Sequence, residues 1–309
     1  MSKKISLVIP VHNRLEYTKS CLSILKDQEK TSFFTKNQIY IILVNDGSTD
    51  ETNEWVSSNY PEVIILEGDG NLWYSGSLNK GFRHALYQLG CDFVLIWEND
   101  IFPGPGYFNN LQALVESWDG NSIITSKLYY KSQPNLIFGL GGTFNKKTGQ
   151  KSLIGWREED GPKFNQIIEL DWFLGHMALI HKDIIARIGL MDEKNFPQYH
   201  ADIDYSLRAT EHGFKNIVYP ELKLMNDTGT TGIHQVKNKT IKQFFESFTS
   251  IRSNNNIRKD IIFLRIHTKG LLPYLYLFKR YLIYTGSFVK WKTLGYFGVK
   301  RKNENLLVD

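Results

Sequence analysis

The chain has 309 residues, of which 42% are hydrophobic and 22% are charged, and its formal net charge is +5. This length is enough to bury a full hydrophobic core, and the composition excludes a disordered or fibrous chain. No run of about 18 uncharged apolar residues occurs, so we expect no membrane-spanning helix. The N-terminus reaches polar residues after a short apolar run, so we also expect no signal peptide. Cys21 and Cys91 are predicted to be buried thiols in a cytoplasmic protein.

The charge is unevenly distributed along the chain. Residues 252–309 contain twelve lysines and arginines and three acidic residues, a net charge of +9, which leaves −4 for the first 251 residues. The basic region interleaves Leu, Ile, Phe, Tyr and Trp with its cations, a pattern typical of a segment at a membrane interface. We therefore predict an α/β domain at residues 1–240 and a helical basic extension at residues 241–309.

The basic extension has three possible roles. We favour peripheral contact with an anionic membrane, because lysines and arginines near such a surface are attracted to it. A helical pair packed on the rest of the chain, with its lysines in water, is the simplest alternative. Nucleic acid is a further candidate for any basic aromatic segment, but no nucleic-acid-binding module is recognisable, so we expect no nucleic-acid partner.

Four short apolar runs in the first hundred residues predict buried β-strands, because each run ends in polar residues. They span residues 5–11, 39–45, 63–66 and 93–97. Segments with helical periodicity separate them, and this β-α alternation indicates a parallel sheet covered by helices. Ser48 and Glu51 further predict a capping box at the start of the helix that follows the second strand.

Polar side chains follow these strands. Asn13, Asp46 and Asp100 come at or just after three strand ends, and open α/β sheets bind ligands at that edge. Glu98 and Asp100 point to the same side of an extended chain, with α-carbons about 6 to 7 Å apart. Together they can bind one divalent cation, and the hard oxygen ligands favour Mg²⁺ or Mn²⁺ and a diphosphate. A solvated strand end before the turn at 103–106 is the simpler alternative.

The common nucleotide-binding motifs are absent. The segment GLGGTF at 139–144 has Phe144 where a dinucleotide-binding motif needs its third glycine. Gly81 is followed by Phe82 and Arg83 instead of the Lys and Ser or Thr of a P-loop. The sequence therefore disfavours a dehydrogenase and a P-loop enzyme.

Six motifs, in their order and spacing, resemble those of family 2 glycosyltransferases with the GT-A fold. They are SLVIPVHNR, ILVNDGSTDET, GNLWYSGSLNKG, FVLIWEND, WFLGHMALI and YHADIDYSLRA, and the resemblance covers roughly residues 5–235. It implies an α/β domain with a mostly parallel central sheet flanked by helices, followed here by the helical basic extension. It also implies an enzyme that transfers a sugar from a nucleotide-diphosphate donor.

The resemblance also implies donor-binding residues. Asp46 would hydrogen-bond the base, with helix capping near Ser48 as the alternative. We expect a UDP- or dTDP-linked sugar, since both bases present similar edges to Asp46. Close packing is the alternative explanation for Gly81. The full predicted donor-binding set is Pro10, Val11, Asn13, Arg14, Asp46, Asn71, Asn79, Gly81, Asn99 and Asp100.

The family's D-x-D site, which binds the donor diphosphate through a divalent cation, corresponds to Glu98 and Asp100. Asp100 is the expected ligand for Mn²⁺ or Mg²⁺. Glu98 replaces the usual first aspartate, and we expect it to bind the cation directly or through water. Family members often add a histidine from a later loop, and the segment MNDTGTTGIH offers Asp227 and His234 for that position.

The catalytic base is implied by the motif at residues 199–209. Periodicity predicts a helix with Asp202 and Asp204 in its first turn, where the helix dipole favours acids. The match assigns the base to Asp202, while Ala201 replaces the glutamate common in the family. Asp204 and Arg208 are expected to form an i, i+4 ion pair. The segment expected to face the sugar and the acceptor contains Trp172, Phe173, Gly175 and His176.

Some alternatives stay open. Trp172 fits a buried core position as well as a sugar-stacking position. Residues 131–170 are rich in turn formers and predict an irregular insert that covers the donor as a mobile loop.

The expected function is metal-dependent, inverting sugar transfer to a hydroxyl of a lipid-linked glycan. The resemblance places it in bacterial surface polysaccharide synthesis, at the inner face of the cell membrane. Two alternatives are transfer to a polyprenyl phosphate and a non-catalytic sugar-nucleotide or glycan-binding protein. Glu98 and Ala201 favour the binding protein, whereas the three aspartates of the motifs oppose it.

Overall fold

The computed structural model describes residues 2–227 and 239–296. Within these ranges the chain forms two compact units. The first unit contains residues 2–143 and 152–227, and the second contains residues 144–151 and 239–296. The predicted domain boundary at residue 240 stays a prediction.

The described part of the first unit is built on a ten-stranded mixed sheet, and a separate two-stranded hairpin is formed by β8 and β9. In the described residues the strands are β1 (Lys4–Val11), β2 (Gln38–Asn45), β3 (Ile64–Glu67), β4 (Phe93–Trp97), β5 (Ile101–Pro103), β6 (Ser122–Tyr130), β7 (Gln133–Gly139), β8 (Gly142–Asn145), β9 (Gln150–Leu153), β10 (Ile168–Leu170), β11 (Met177–His181) and β12 (Lys215–Asn226). The order in the large sheet is β10-β12-β6-β11-β4-β1-β2-β3, with β5 beside β12 and β7 beside β6.

The helices follow the strands in alternation over the first hundred residues. In the described residues they are α1 (Leu15–Asp27), α2 (Ser32–Lys36), α3 (Thr52–Asn59), α4 (Trp73–Arg83), α5 (Tyr107–Glu116), α6 (Lys182–Ile188), α7 (Ala201–Glu211), α8 (Ile241–Glu246), α9 (Ile257–His267) and α10 (Leu272–Tyr296). A π-helical turn at His84–Gln88 extends α4, and a short 3₁₀ turn spans Pro162–Phe164.

The parallel arrangement predicted from the first hundred residues is confirmed. Strands β3, β2, β1 and β4 lie side by side and run parallel, and each begins and ends within one residue of its predicted bounds. Strand β11 then runs antiparallel between β4 and β6, which makes the whole sheet mixed. The predicted α/β class with helices flanking a central sheet is therefore correct.

The core of the first unit surrounds β1 and β4. All five residues of β4 are buried, as a continuous apolar run between covered faces requires. The Trp97 ring stacks on Phe108 of α5 with ring centroids 5.5 Å apart. Cys21 and Cys91 are buried free thiols, as predicted. This packing fixes the end of β4, where the acidic motif begins.

The predicted capping box at Ser48 and Glu51 is wrong. Helix α3 begins at Thr52, and Glu51 has a left-handed φ of 62° with no side-chain cap. The Ser48 hydroxyl instead accepts a hydrogen bond from the Asn13 N–H at 2.9 Å. A long-range bond to the loop after β1 thus replaces the local bond that the motif predicted.

The turn-rich insert at residues 131–170 is more regular than the sequence predicted, because it contains β7, β8, β9 and β10. A buried ion pair ties it to β6. Lys127, whose side chain is fully buried, donates to Asp160 Oδ1 at 2.8 Å, and Tyr129 donates to Asp160 Oδ2 at 2.6 Å. Whether this segment covers the donor stays a prediction.

Residues 239–296 of the second unit form helices α8, α9 and α10, which confirms the predicted helical extension. Helix α8 begins with a capping box between Thr240 and Gln243. Phe244 of α8 stacks on Phe288 of α10 with centroids 4.0 Å apart. Asp260 of α9 forms an ion pair with Arg280 of α10. Among the described residues, no helix is long and apolar enough to cross a membrane.

Candidate active site

The loops that follow β1 and β2 are hydrogen-bonded to each other at the carboxyl edge of the sheet. His12 Nδ1 donates to the Asp46 carbonyl oxygen at 2.6 Å. The Asn13 side chain makes a second hydrogen bond between the loops, since its Oδ1 accepts the Thr49 N–H at 2.7 Å. Two of the predicted polar strand ends therefore meet, as the parallel sheet requires.

The end of β1 supports this loop through its main chain. Pro10 and Val11 are the last two residues of β1 and pair with the last two of β2. The Val11 carbonyl accepts the Asp46 N–H at 2.8 Å. Pro10 and Val11 thus contribute backbone to the predicted nucleoside wall, and the side chain of Val11 is buried in the core.

The Asp46 carboxylate holds the turn that starts α4. It is buried and accepts three backbone N–H groups, those of Gly70 at 2.8 Å, Leu72 at 3.2 Å and Trp73 at 2.9 Å. A carboxylate has about four acceptor positions, so these bonds use most of its capacity. Hydrogen bonding of Asp46 to a base stays a prediction, whereas its role in fixing the 70–73 turn is visible.

Arg14 and Asp100 form an ion pair at the end of β4. Arg14 Nη1 lies 2.8 Å from Asp100 Oδ2, and the same nitrogen is 3.4 Å from Asn99 Oδ1. The Asp100 side chain is 3% exposed and that of Arg14 is 32% exposed. Asn99 is also buried and donates to Thr18 Oγ1 at 3.2 Å. The loop after β1 is therefore joined to the acidic motif by a permanently charged guanidinium.

Glu98 shares this cleft with His176. His176 Nε2 lies 3.7 Å from Glu98 Oε2 and 3.4 Å from the Asn226 amide nitrogen. Burial raises the pKa of Glu98 to about 7; the charges of His176 and Arg14 act to lower it, and those of Asp100 and Asp202 act to raise it further. The carboxyl is thus surrounded by both signs of charge within one site.

Asp202 lies at the start of α7, next to Gly175. Its Oδ2 accepts the Gly175 N–H at 3.1 Å, and its Oδ1 accepts the Ile203 N–H at 2.9 Å. The Gly175 carbonyl accepts the Tyr74 hydroxyl at 2.6 Å. A Cβ at Gly175 would lie 2.5 Å from that hydroxyl, so a larger residue there would displace the Tyr74 side chain.

Backbone hydrogen bonds bring the two acidic segments together, since the Glu98 N–H donates to the His176 carbonyl at 3.1 Å and the Gly175 N–H donates to Asp202. Burial raises the pKa of the Tyr74 phenol well above its ordinary value, and the charges of Glu98 and Asp202 raise it further. Asp202 likewise raises the pKa of Glu98. The site thus has one acidic pole at the end of β4 and another at the start of α7.

The family model described as "Glycosyl transferase family 2" matches residues 6–189, which is more than half of the chain. The chain belongs to glycosyl transferase family 2. It is accordingly a nucleotide-sugar-dependent glycosyltransferase, as the six motifs predicted.

Relatives of this transferase include enzymes from bacteria and archaea. The N-acetylglucosaminyl-diphospho-decaprenol L-rhamnosyltransferase of Mycobacterium tuberculosis is 22% identical over 220 residues, which cover 63% of this chain and 68% of the relative. A low-salt glycan biosynthesis hexosyltransferase of Haloferax volcanii is 21% identical over 234 residues, which cover 75% of this chain and 72% of the relative.

Solved structures support the fold of this transferase. GalNAc-T7, solved with UDP, GalNAc and Mn²⁺, matches 86% of this chain with a TM-score of 0.57 and 13% identity. The match spans about half, 54%, of the GalNAc-T7 chain. The mannosyltransferase PcManGT from Pyrobaculum calidifontis, solved with GDP-Man and Mn²⁺, matches 97% of this chain and 87% of its own, with a TM-score of 0.52 and 12% identity. These similarities confirm the predicted GT-A fold.

The family's divalent cation is compatible with the residues at the end of β4. Glu98 and Asp100 supply carboxylate oxygens, and the buried Asn226 Oδ1 has no hydrogen-bond partner among the described residues. In residues 2–227 and 239–296, no three His, Cys, Asp or Glu side chains are arranged to hold a metal. Mg²⁺ sites with substrate phosphates commonly use only one or two carboxylates. The donor set therefore fits a cation shared with a diphosphate.

The other predicted metal ligands are less well placed or not described. Asp227 lies next to the motif, because its N–H donates to the Asp100 carbonyl at 3.3 Å, but its carboxylate is directed to Lys131, 3.8 Å away. His234 lies outside the described residues. The contributions of both residues stay predictions.

Two of the predicted donor-binding residues in α4 pack inside the protein. Asn79 is buried and binds the loop before α7, donating to the Met191 carbonyl at 2.9 Å and to Glu193 Oε2 at 2.8 Å. A Cβ at Gly81 would lie 2.3 Å from Val8 Cγ1, so close packing of α4 on β1 explains this glycine. Asn71 is exposed on the turn before α4, where a ligand can reach it. Contact of all three with a nucleotide sugar stays a prediction.

Trp172 is part of the packed interior. Its side chain is buried, and its indole N–H donates to the Thr143 carbonyl at 3.1 Å. A Cβ at Gly142 would lie 2.5 Å from the indole ring, so the backbone of β8 covers one ring face. The neighbouring Phe173 is fully buried. These contacts fit the core alternative that the sequence left open, while Gly175 and His176 line the cleft.

Helix α7 matches its prediction in detail. It begins at Ala201, so Asp202 and Asp204 lie in its first turn. Arg208 Nε lies 2.9 Å from Asp204 Oδ2, which confirms the predicted ion pair. The residue before the helix, His200, has a left-handed φ of 70°. Such backbone is unfavourable outside glycine and is often found at functional sites.

Sequence reasoning missed two residues of the site. Tyr74 reaches the site through its hydrogen bond to the Gly175 carbonyl, yet in the sequence it is only one aromatic residue in a helical pattern. Asn226 approaches His176 from the last residue of β12. The only sequence signal for either residue was its position, since Tyr74 follows the GNLW motif and Asn226 precedes the predicted histidine loop.

Proposed function

We propose that this family 2 glycosyltransferase inverts the anomeric configuration of a sugar that it moves from a nucleoside diphosphate to a glycan hydroxyl. The observation that carries the proposal is the pair of acidic poles on one cleft. Glu98 and Asp100 lie at the end of β4 and Asp202 lies at the start of α7, where Gly175 accepts from Tyr74 and donates to Asp202. An inverting single displacement needs a leaving-group pole and a base on opposite faces of the sugar.

The donor pole positions the diphosphate. Arg14 presents a guanidinium toward it, held 2.8 Å from Asp100, and the backbone of residues 10–13 walls the nucleoside. When bound at Glu98 and Asp100, Mn²⁺ or Mg²⁺ would neutralise the charge that develops on the leaving diphosphate. Mn²⁺ with a nucleotide in both structural neighbours supports this assignment.

The base pole activates the acceptor. Asp202 takes the proton of the acceptor hydroxyl as that oxygen forms a bond to the anomeric carbon, and the bond to the diphosphate oxygen breaks with its electron pair on the diphosphate. The Gly175 N–H at 3.1 Å holds Oδ2, which orients the carboxylate. Asp202 lies in the first turn of α7, where a negative charge interacts favourably with the helix dipole.

A lipid-linked glycan is the proposed acceptor. The Mycobacterium tuberculosis relative is named for a diphospho-decaprenol acceptor, and the Haloferax volcanii relative is named for glycan biosynthesis. The apolar and basic composition of the second unit is typical of a segment that binds at a membrane interface. We infer a role in surface polysaccharide synthesis at the inner face of a bacterial cell membrane.

A thermal-shift panel tests the donor and the metal. We would measure the unfolding midpoint with UDP, dTDP, GDP and CDP, each with and without Mn²⁺, in wild type and Asp100→Ala. A ligand present at about 100 times its Kd stabilises the native state by about 2.7 kcal/mol. We expect UDP or dTDP to stabilise wild type only with Mn²⁺, and Asp100→Ala to lose that increment.

The exposed Asp183 provides a matched control, because Asp183→Asn removes an acid from the same unit away from the cleft. Failure of all four nucleotides at millimolar concentration would contradict the donor assignment. A metal-independent shift that Asp100→Ala leaves unchanged would remove the cation from the proposal.

A further inference from the structure

Helix α10 presents an apolar stripe along one side. Leu271, just before the helix, is followed by Leu275, Phe278, Leu282 and Val289, and each of these side chains is more than half exposed. The spacings of three, four and seven residues place all five on one face at about 100° per residue. The stripe therefore continues along most of the helix.

A different side of α10 attaches the helix to its own unit. Phe288 is buried against Phe244, and the Tyr281 hydroxyl donates to Asp260 Oδ2 at 2.5 Å. At 100° per residue, these residues lie roughly a third of a turn around the helix from the stripe. Because packing already occupies that side, the exposed stripe is not needed to hold α10 in place.

The charge around the stripe is strongly positive. Helix α10 contains Lys279, Arg280, Lys290 and Lys292 and no acidic residue in its 25 described positions. Residues 239–296 contain eleven lysines and arginines and two acidic residues. An exposed apolar face with neighbouring cations and few acids is the pattern of a helix that lies in a membrane interface.

A cavity of about 400 Å³ opens beside the stripe within the second unit. Phe263, Leu264 and Leu277 give it apolar walls. Lys151, Lys279 and Arg280 also line it, together with Asp260, which forms an ion pair with Arg280. Apolar walls next to ammonium and guanidinium groups suit the junction between an acyl chain and a phosphate headgroup.

We propose that α10 and the cavity beside it form a docking surface for an anionic lipid bilayer. The stripe enters the acyl-chain boundary, and the cations of α10 and Lys151 bind headgroup phosphates. The purpose of this docking rests on the proposed function, since a lipid-linked acceptor is found at a bilayer, but the surface itself is defined by the contacts of the second unit.

Charge favours a bilayer over a second copy of this chain. Two α10 helices that met through their stripes would bring Lys279 and Lys290 of one copy toward the same cations of the other. Helix α10 has no acidic residue to neutralise them. Like charges in a contact are unfavourable, whereas an anionic leaflet adds about 1 kcal/mol for each basic residue near it.

Vesicle flotation of the full-length protein tests the proposal. The probes are phosphatidylcholine vesicles with and without 30 to 50% phosphatidylglycerol, on the order of the anionic content that gives a strong surface potential. The variants are Phe278→Glu with Leu282→Glu, which reverses the character of the stripe, and Lys279→Gln with Lys290→Gln, which leaves the stripe intact. Tyr87→Glu is the matched control, because Tyr87 is an exposed aromatic of the first unit, 75% accessible.

Wild type and Tyr87→Glu should float with the anionic vesicles, and added salt should weaken their binding. The stripe variant should bind at least tenfold more weakly, since two apolar anchors are lost and two negative charges are added. The lysine variant should lose roughly fivefold per cation at low salt, the equivalent of about 1 kcal/mol each.

No flotation of wild type, or equal flotation of the stripe variant, would overturn the docking surface. A wild-type dimer that the stripe variant converts to monomer, without vesicle binding, would assign the stripe to a second copy instead. The nucleotide thermal shift of each variant reports folding of the first unit. Normal nucleotide stabilisation without vesicle binding would reject this surface and leave the proposed transferase intact.

Discussion

Arg14 has a more specific position in the structure than its motif indicates. The sequence places it in the wall of the nucleoside, whereas its guanidinium lies 2.8 Å from Asp100 and 5.1 Å from the centre of the Tyr17 ring. Arginine stays charged at any ordinary pH. Asp100 therefore has a cationic partner already, and under the proposed function Arg14 and a divalent cation would compete for one buried carboxylate.

Replacing this guanidinium should make the protein more dependent on the metal. We expect Arg14→Gln to lower stability by about 1 to 3 kcal/mol without metal, less than for a fully buried pair because Arg14 is partly exposed. Mn²⁺ with the preferred nucleotide should then raise the melting temperature of the variant more than that of wild type. Thermal unfolding with and without Mn²⁺ measures both effects.

The surface pair of Lys19 and Glu16 provides the control for Arg14. Lys19→Gln removes an ion pair of similar length, 2.7 Å, whose acid is 80% exposed. It should change stability by less than about 1 kcal/mol and leave the Mn²⁺ response unchanged. An equal Mn²⁺ response in Arg14→Gln and wild type would show that the two cations do not compete.

At the scale of secondary structure, the apolar strands of the first hundred residues were predictable and the polar strand β9 was not. β1, β2 and β4 are continuous apolar runs, which few other structures produce. β9, whose sequence is QKSL, has no such pattern and is paired through its backbone with β8. Whether β9 forms a strand depends on its pairing with β8, which the local sequence does not encode. The sequence therefore predicts an irregular insert at this position.

The contact of Asp160 with β6 makes a prediction about acid stability. Burial alone would raise the pKa of Asp160, but hydrogen bonds from Lys127, Tyr129 and Lys223 outweigh it and lower the pKa from 3.8 to about 2. A carboxyl with a lowered folded-state pKa stabilises the native state above its unfolded pKa and loses that contribution as the pH falls through 2. The shift corresponds to about 2 kcal/mol.

Asp160→Asn should therefore lower the free energy of unfolding by at least about 2 kcal/mol at pH 7, because Lys127 stays buried. The difference from wild type should shrink between about pH 4 and pH 2. Urea unfolding across this range measures it, with Glu169→Gln as the control at an exposed pair with Lys215. A difference that does not change with pH would assign the effect to packing.

For the whole molecule, the sequence predicted the fold and the principal acids better than it predicted their surroundings. The order of the motifs located Asp46, Asp100 and Asp202 because each motif sits at the end of a strand or the start of a helix. The hydrogen bond from Tyr74 to Gly175 connects residues 101 positions apart, so no local sequence pattern predicts it. The three hydrogen bonds that the Asp46 carboxylate accepts from backbone N–H groups were likewise not predictable, since they depend on the conformation of the turn at 70–73.

In the proposed function the two units have different roles. The first unit contains the family 2 site, where Glu98 and Asp100 are proposed to position the diphosphate and Asp202 is proposed as the base. The second contains the apolar and cationic surface of α10. A transferase that acts on a lipid-linked glycan needs both a chemical site and a means to stay at the bilayer, so loss of the α10 stripe should reduce transfer to a lipid-linked acceptor while donor binding persists.

The stereochemistry and base dependence of transfer test the central claim most directly. Purified wild type, Asp202→Asn and the control Asp183→Asn would be given the nucleotide sugar that the thermal-shift panel selects and a short polyprenyl-diphosphate-linked N-acetylglucosamine. Turnover would be followed by mass spectrometry, and the new anomeric centre would be assigned by NMR. We predict an inverted product, with kcat lowered by about 10²- to 10⁴-fold in Asp202→Asn and donor affinity unchanged. Near-normal turnover of Asp202→Asn, or a product that retains the donor's anomeric configuration, would contradict the account.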